Sequence, residues 1–253
     1  AGTGLARIDC ATLAPTSTPC NPAPTGARLA MTSPASSPTL SIDIVSDVVC
    51  PWCYIGKRHV EAAIAQFRAA NPGAAISIRW HPFQLNPDLP PEGTDRKAYL
   101  EAKFGGPQRA AEIYARVSAA GRNAGLALNF DGIQRQPNTL MAHALIAYAQ
   151  SVEGNGNADA IVEQLFKAYF VDGRFVGDIE VLVAIATACG LDAEATRAVL
   201  ADPATLEQVA ALDASARRQG VSGVPFLIFN QKLALSGAQP SGVMLDAMTK
   251  SLA

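Results

Sequence analysis

Apolar residues alternate with polar ones, the period expected of a strand, in only two separated regions of this chain. Leu40, Ile42 and Ile44 alternate with Ser41 and Asp43, and the apolar character continues through Val45 and Val48–Val49. Ile76, Ile78 and Trp80 repeat the pattern up to Pro82. The next such signals are Phe226–Leu227–Ile228–Phe229, bounded by turn residues, and Leu233 with Leu235. Everything between them reads as helix. Strands so far apart share a sheet only if the helical stretch leaves it and returns. The pattern therefore predicts one α/β domain, residues 39–93 and 219–253, with an all-helical domain inserted at 94–218.

Helical spacing supports this division. From Tyr54 to Ala70, Val60, Ala63, Ile64 and Phe67 share one face, and Asn71-Pro72-Gly73 ends the helix. Strand, helix and strand in that order predict parallel pairing with a crossover. Two helices are expected between Thr94 and Gly125, the second opening near Pro107. Others carry Leu140–Tyr148, Ile161–Tyr169 and Leu182–Ala186, the last closed by Gly190. Asp202-Pro203 is an N-cap and first-turn pair for a helix running to Gly220. A final helix spans Pro240–Met248.

Composition excludes some classes of function. With 49% hydrophobic and 17% charged residues, the 253-residue chain can bury a sizeable core. A formal net charge of −2 gives no electrostatic reason to expect nucleic acid or an anionic membrane as partner. No run of ~18 uncharged apolar residues is present, so a membrane-spanning helix is not expected. Residues 1–38 hold six of the 17 prolines, little aliphatic periodicity and no apolar stretch of the kind an export signal requires. They read as a disordered tail, with Met31 a candidate native start, and the fold is expected to begin near Thr39. A cytoplasmic location follows as an expectation, and there a reactive dithiol is normally catalytic.

Five cysteines are too few and too scattered for a disulfide framework. Two of them are a pair: Cys50-Pro51-Trp52-Cys53 lies where the first strand meets its helix. A thiol at a helix N-terminus faces unsatisfied N–H groups and the positive end of the helix dipole, which lowers its pKa and raises its thiolate fraction. Cys50 is thus the expected nucleophile, and Cys53, one turn further in, the shielded thiol that resolves a mixed disulfide. Pro51 has no N–H to donate and suits the turn that opens the helix. Two other readings compete. Zinc needs two more ligands, yet only Cys10, Cys20, Cys189 and three histidines remain, and none forms a second pair. A structural disulfide across so short a loop adds little chain-entropy stabilisation. Redox chemistry leads.

A second element lies far away in sequence, Gly220-Val221-Ser222-Gly223-Val224-Pro225-Phe226. An ordinary trans proline at a strand start is the plain reading of Pro225. Beside a CxxC pair, a cis Val224–Pro225 bond becomes the expectation, with backbone groups free to pair with an extended peptide.

CPWC after a strand, Tyr54-Ile55-Gly56-Lys57 behind it, and a later GVPF before a strand resemble the DsbA family of thioredoxin-fold proteins. The FrnE-like branch is more similar still, through Pro82-Phe83-Gln84-Leu85-Asn86-Pro87, Asn138-Thr139-Leu140 with Ala142-His143, and Ser236-Gly237-Ala238-Gln239. The resemblance runs from about Thr39 to the C-terminus. It implies a thioredoxin-like fold with an inserted all-helical domain and dithiol–disulfide exchange as the activity. It further implies Cys50 as nucleophile, Cys53 as resolving thiol, and Pro51, Trp52, Val224 and Pro225 as substrate-contacting residues. The best-known periplasmic members carry histidine between their cysteines, where this chain has Trp52. An indole cannot become cationic, so a less strongly oxidising couple is expected, with reductase or isomerase work open.

The remaining candidates are weaker. Cys189 reads as a buried, inert thiol, and Cys10 and Cys20 as tail residues that nothing requires to pair. His81 either lines the mouth of the site or is a hydrogen-bonded residue at the core edge, the plainer expectation. Asp47 either assists proton transfer or is a solvated loop carboxylate. Asn138 and His143 are assigned to positioning or packing before chemistry. The runner-up function is a glutathione-dependent isomerase or transferase of the 2-hydroxychromene-2-carboxylate isomerase or kappa-class type. Those proteins typically present serine at the place of Cys50 and lack Cys53. A third reading is a chaperone-like binder using the groove between the domains. No cofactor or metal is expected, glutathione being the one small co-substrate left open. The partners expected are protein or small-molecule thiols and disulfides. A homodimer would be unsurprising.

Overall fold

A computed structural model of the protein describes residues 39–152 and 158–253. The expected tail, the candidate start at Met31, and Cys10 and Cys20 all lie outside the described residues. Strand β1 (Thr39–Ser46) leads into helix α1 (Pro51–Ala70), which returns to β2 (Ala75–Pro82). A two-residue strand β3 (Thr94–Asp95) then opens the helical stretch of α2 (Arg96–Phe104) and α3 (Pro107–Asn123). After a short 3-10 turn at Phe130–Gly132, β4 (Arg135–Gln136) pairs back with β3. Helices α4 (Leu140–Ser151), α5 (Ala158–Phe170), α6 (Ile179–Ala188), α7 (Ala193–Ala201) and α8 (Pro203–Arg218) follow. Strands β5 (Phe226–Phe229) and β6 (Leu233–Ser236) and helix α9 (Ser241–Lys250) close the fold.

The main sheet has the order β2-β1-β5-β6. β1 pairs with β2 in parallel, with Ile42 opposite Ile78 and Ser46 opposite Pro82, and antiparallel to β5, with Ile44 opposite Leu227. This is the mixed α/β, thioredoxin-like arrangement, and among the described residues the regular structure between the sheet halves is helical apart from the β3–β4 ladder. Central β1 is buried along nearly its whole length, as a strand with neighbours on both edges must be. α1 packs on α9, while α4, α5 and α8 meet β2. One apolar cluster runs from Leu40, Ile42 and Phe67 into Leu145, Leu165 and Phe166, so sheet and helices share a core. Among the described residues no helix is long and apolar enough to cross a membrane.

α1 opens at Pro51, as expected of the turn that starts the helix, because a proline in the first helical position gives up only an N–H that no carbonyl needs. One expectation needs correction. α7 carries too few large apolar residues to show in the sequence. Its buried face is little more than Thr196 and Leu200, and its start is set by the Asp192 carboxylate accepting from Ala195 N–H at 2.7 Å. One side-chain amide ties together parts far apart in sequence. Asn230 accepts from Ser41 N–H at 2.8 Å and donates to the Ser251 carbonyl at 3.2 Å.

α1 is held to α5 by a cluster of charges. Lys57, with its side chain 3% exposed, pairs with Glu61, with Asp159 at 3.1 Å and with Glu163 at 3.2 Å. Glu163 also accepts from Arg58 and from the Tyr54 hydroxyl. Burial alone would raise the Glu163 pKa, but the Arg58 hydrogen bond and the Lys57 charge outweigh it and hold the carboxyl below its ordinary value. A depressed folded-state pKa adds stability above the unfolded value of about 4.3 and loses it as the pH falls through the folded value. Chemical denaturation should therefore show the wild type losing stability through that acidic window more steeply than Glu163→Gln. Parallel curves would mean that Glu163 contributes nothing pH-dependent.

Candidate active site

The end of β1 fixes the first cysteine. Ser46 is its last residue, and a turn follows in which Cys50 N–H donates to the Asp47 carbonyl at 3.0 Å. Cys50 takes the N-cap of α1 with extended backbone, φ −91° and ψ 111°, and its carbonyl accepts from Cys53 N–H at 3.0 Å. No side-chain oxygen caps this helix. Cys50 holds the capping position and Cys53 lies one turn in, with free thiols 5% and 2% exposed. Burial, the hydrogen bond from Cys50 and the charge on Cys50 push the Cys53 thiol well up from its usual range. The Ser46 hydroxyl and an Asp47 main-chain hydrogen bond act in the opposite direction.

The GVPF segment arrives from the other end of the chain. Val224–Pro225 is a cis peptide bond, and the Val224 carbonyl lies 3.6 Å from Cys50 Sγ. Its position is set by close packing on α1. A Cβ on Gly56 would stand 3.1 Å from Pro225 Cγ and 3.6 Å from Ala238 Cβ. Gly237 N–H donates to the Pro225 carbonyl at 2.8 Å, and His59 Nδ1 bonds the Gln239 carbonyl at 2.9 Å. The Ser236–Gln239 segment thus holds the proline loop against the cysteine helix.

A third segment completes the site. The Asp47 side chain is wholly buried, and one of its oxygens accepts from Leu85 N–H at 2.7 Å. This corrects the reading of Asp47 as a solvated loop carboxylate: its solvent is replaced by a main-chain donor 38 residues away. Gln84 is held from the helical side, its N–H by Asp213 at 2.9 Å and its side chain by Asn138 at 3.0 Å. Asn138 also donates to the Leu89 carbonyl at 2.7 Å. These ties present Leu85 beside Trp52, the two large apolar side chains left exposed around the cysteines.

Between them opens a cleft of about 310 Å³, lined by Cys50, Trp52, Leu85, Tyr99, Phe104 and Tyr114 among others. Behind Tyr114 lies Arg96, only 4% exposed and caged by Tyr114, Phe130 and Tyr169 at 5.2, 5.9 and 5.6 Å from their ring centres. It donates to Gln136 at 3.0 Å and to the Tyr169 hydroxyl at 2.7 Å. Sequence reasoning missed Ser46, Leu85, Tyr99, Tyr114 and Arg96. Ser46 lies four residues ahead of Cys50 at the end of β1, whereas Leu85, Tyr99 and Tyr114 reach the cleft, and Arg96 the back of Tyr114, only through the fold, and no local spacing marks them.

Other candidates stand elsewhere. His81 does not line the cleft. It bonds Asp43 at 2.7 Å on the sheet. Cys189 is the C-cap of α6 and half-buried rather than buried, because the helix ends there at Gly190, and its partial burial raises its pKa. His143 is buried, its Nε2 standing 3.4 Å from the second oxygen of Asp47. Among the described residues no cluster of His, Cys, Asp or Glu could hold a metal ion.

Known proteins resemble this chain along most of its described length. A probable DsbA oxidoreductase from Streptomyces coelicolor is 33% identical, with 84% of this chain and 89% of that one covered and a TM-score of 0.74. The uncharacterized protein YwbO of Bacillus subtilis is 25% identical over 64% of this chain and 72% of its own length. The cytosolic disulfide reductase DsbM of Pseudomonas aeruginosa, solved with GSH, shares the fold at 20% identity and a TM-score of 0.56, over 84% of this chain and 95% of its own. The model of the DSBA-like thioredoxin domain matches residues 41–249, most of the described chain, and with the sheet order and the cysteine-bearing helix it places the protein in that family.

Proposed function

We propose that the protein exchanges disulfides with thiol or disulfide substrates through Cys50 and Cys53. The observation that carries this reading is the pairing of an N-cap thiol, 3.6 Å from the Val224 carbonyl at the cleft, with a second thiol buried one helical turn behind it. The Cys50 thiolate attacks a substrate disulfide in the cleft. A Cys50–substrate disulfide forms as the substrate's own S–S bond breaks, and its other sulfur leaves as a thiolate that takes a proton from solvent. The backbone of Val224 lies alongside the substrate, and Trp52 and Leu85 flank it with apolar surface. Cys53 then displaces the substrate sulfur and closes the Cys50–Cys53 disulfide. Pro51 and Pro225 set the two backbone segments in place. The glutathione-bound reductase that shares the fold makes glutathione the first small thiol to test as co-substrate.

Trp52 brings no positive charge to the pair, and we assign the couple to the reducing or isomerising side. Titration against glutathione redox buffers should give a two-electron transition at a potential well below the roughly −120 mV of a strong oxidant, and none in Cys50→Ser. A transition near that value would overturn the direction, and no transition would overturn the dithiol reading.

Close packing of Gly56 on Pro225 gives a second expectation. Gly56→Val forces Cβ and two methyls into a contact already at 3.1 Å and should destabilise the fold by about 1–3 kcal/mol. Thiol exchange should slow in the same variant as the Val224 carbonyl moves from Cys50, measured by urea unfolding and by the rate of release of a chromogenic thiol. Unchanged exchange would show that the proline loop does not set reactivity.

A further inference from the structure

The cysteine cleft is lopsided in charge. Lys103 of α2 is the one basic residue among those that line it, and no Asp or Glu lines it. Asp47, the acid nearest Cys50 in sequence, is wholly buried, accepts from Leu85 N–H and stays out of the cleft. Lys103 is exposed, yet it is held in place. Its Nζ donates to the Tyr99 hydroxyl at 2.7 Å and to Asn86 Oδ1 at 3.4 Å, and it stands 5.2 Å from the Tyr99 ring centre. Tyr99 in turn donates to Asn86, next to Leu85. These partners are all neutral, and among the described residues no carboxylate pairs with Lys103. An ammonium has three N–H donors, so one is left for a group that enters the cleft.

A second cation strengthens the bias. Arg96, on the same helix and behind Tyr114, is hydrogen-bonded to neutral acceptors alone. A cleft lined by one sign of charge, with apolar walls, concentrates the field and draws in the opposite charge. The walls here are supplied by Leu85, Leu100, Phe104, Ile113 and Val117. At about 310 Å³ the space falls at the lower end of the roughly 300–1,000 Å³ typical of small-molecule sites. A compact apolar group suits such walls, whereas a main chain laid on them would bury N–H and C=O groups without partners.

We propose that the preferred substrate is a small disulfide with an apolar, ring-sized body and an acid group, and that Lys103 selects for the acid. This deepens the dithiol reading and rests on it. The body lies on Leu85 and Phe104, and the carboxylate accepts from the free donor of Lys103. The Cys50 thiolate bonds to one substrate sulfur, the substrate S–S bond breaks, and the other sulfur leaves as a thiolate. Cys53 then gives its proton to solvent, bonds to Cys50 and releases the second thiolate. The enzyme dithiol is oxidised to a disulfide, the substrate disulfide is reduced to two thiolates, and the two thiol protons go to solvent. Lys103 touches the acid group of the substrate and not the reacting sulfurs.

The test measures second-order rate constants of the reduced full chain with dithiobis(nitrobenzoate), which carries a carboxylate on each ring, and with uncharged dithiodipyridine. Only the phase missing from Cys50→Ser is read, because the other thiols also react. Each constant is divided by that of the same disulfide with dithiothreitol, which removes differences in leaving group. The wild type should favour the acid-bearing disulfide. That preference should fall about threefold in Lys103→Gln and about tenfold in Lys103→Glu, survive in Lys103→Arg, and shrink with added salt. Glutathione disulfide bears acid groups on a polar peptide body, and its normalised rate should be the lower of the two acid-bearing disulfides. A preference unchanged in both Lys103→Gln and Lys103→Glu would overturn the role of Lys103. A rate for glutathione disulfide equal to or above that of dithiobis(nitrobenzoate) would overturn the apolar body. Absence of any Cys50-dependent phase with every disulfide would instead overturn the dithiol reading.

Discussion

Strand β1 is hydrogen-bonded on both edges, to β2 and to β5, and the geometry of the site is measured from where it ends. Two ladders fix its direction and register, so Ser46, Asp47 and Cys50 leave the sheet along one path. The turn closed by Cys50 N–H on the Asp47 carbonyl converts that path into the start of α1. Strand β5 carries the same constraint to the other half of the site. Its register against β1 puts Phe226 opposite Val45, which brings the Val224–Pro225 bond to the level of the cysteines.

The helical stretch supplies what the sheet cannot. The loop carrying Leu85 has no ladder to hold it, and it is fixed by side chains of α8 and by Asn138, just ahead of α4. Arg217 reinforces this by lying over the Phe83 ring at 4.1 Å and donating to the Gln84 carbonyl. Arg96 shows a different economy. It is a buried cation balanced by aromatic faces and neutral acceptors, a setting in which the ring quadrupole replaces a counter-charge.

What was legible in the sequence was local. The alternation in Leu40–Ile44 and Phe226–Phe229, the proline and glycine stops, and the spacing of Cys50 and Cys53 all act over a few residues, and the elements formed where those signals lay. The burial of Asp47 was not legible because its partners, Leu85 N–H and His143, are brought to it by the fold. A carboxylate is solvated or buried according to donors that its neighbours in sequence do not reveal. α7 escaped for another reason: a short helix with one small buried face has almost no periodicity to detect. Cys189 was misplaced by one helical turn's worth of context, since the closing glycine that ends α6 also opens its last residues to solvent.

The Asn230 amide that joins Ser41 to Ser251 has a consequence of another kind. It brings the first residues of the sheet and the last residues of α9 within one side chain of each other. A module whose two flanks emerge side by side can be spliced into a surface loop of another protein without prising its own ends apart. The whole fold could then sit inside a larger one, entered and left where Ser41 and Ser251 meet.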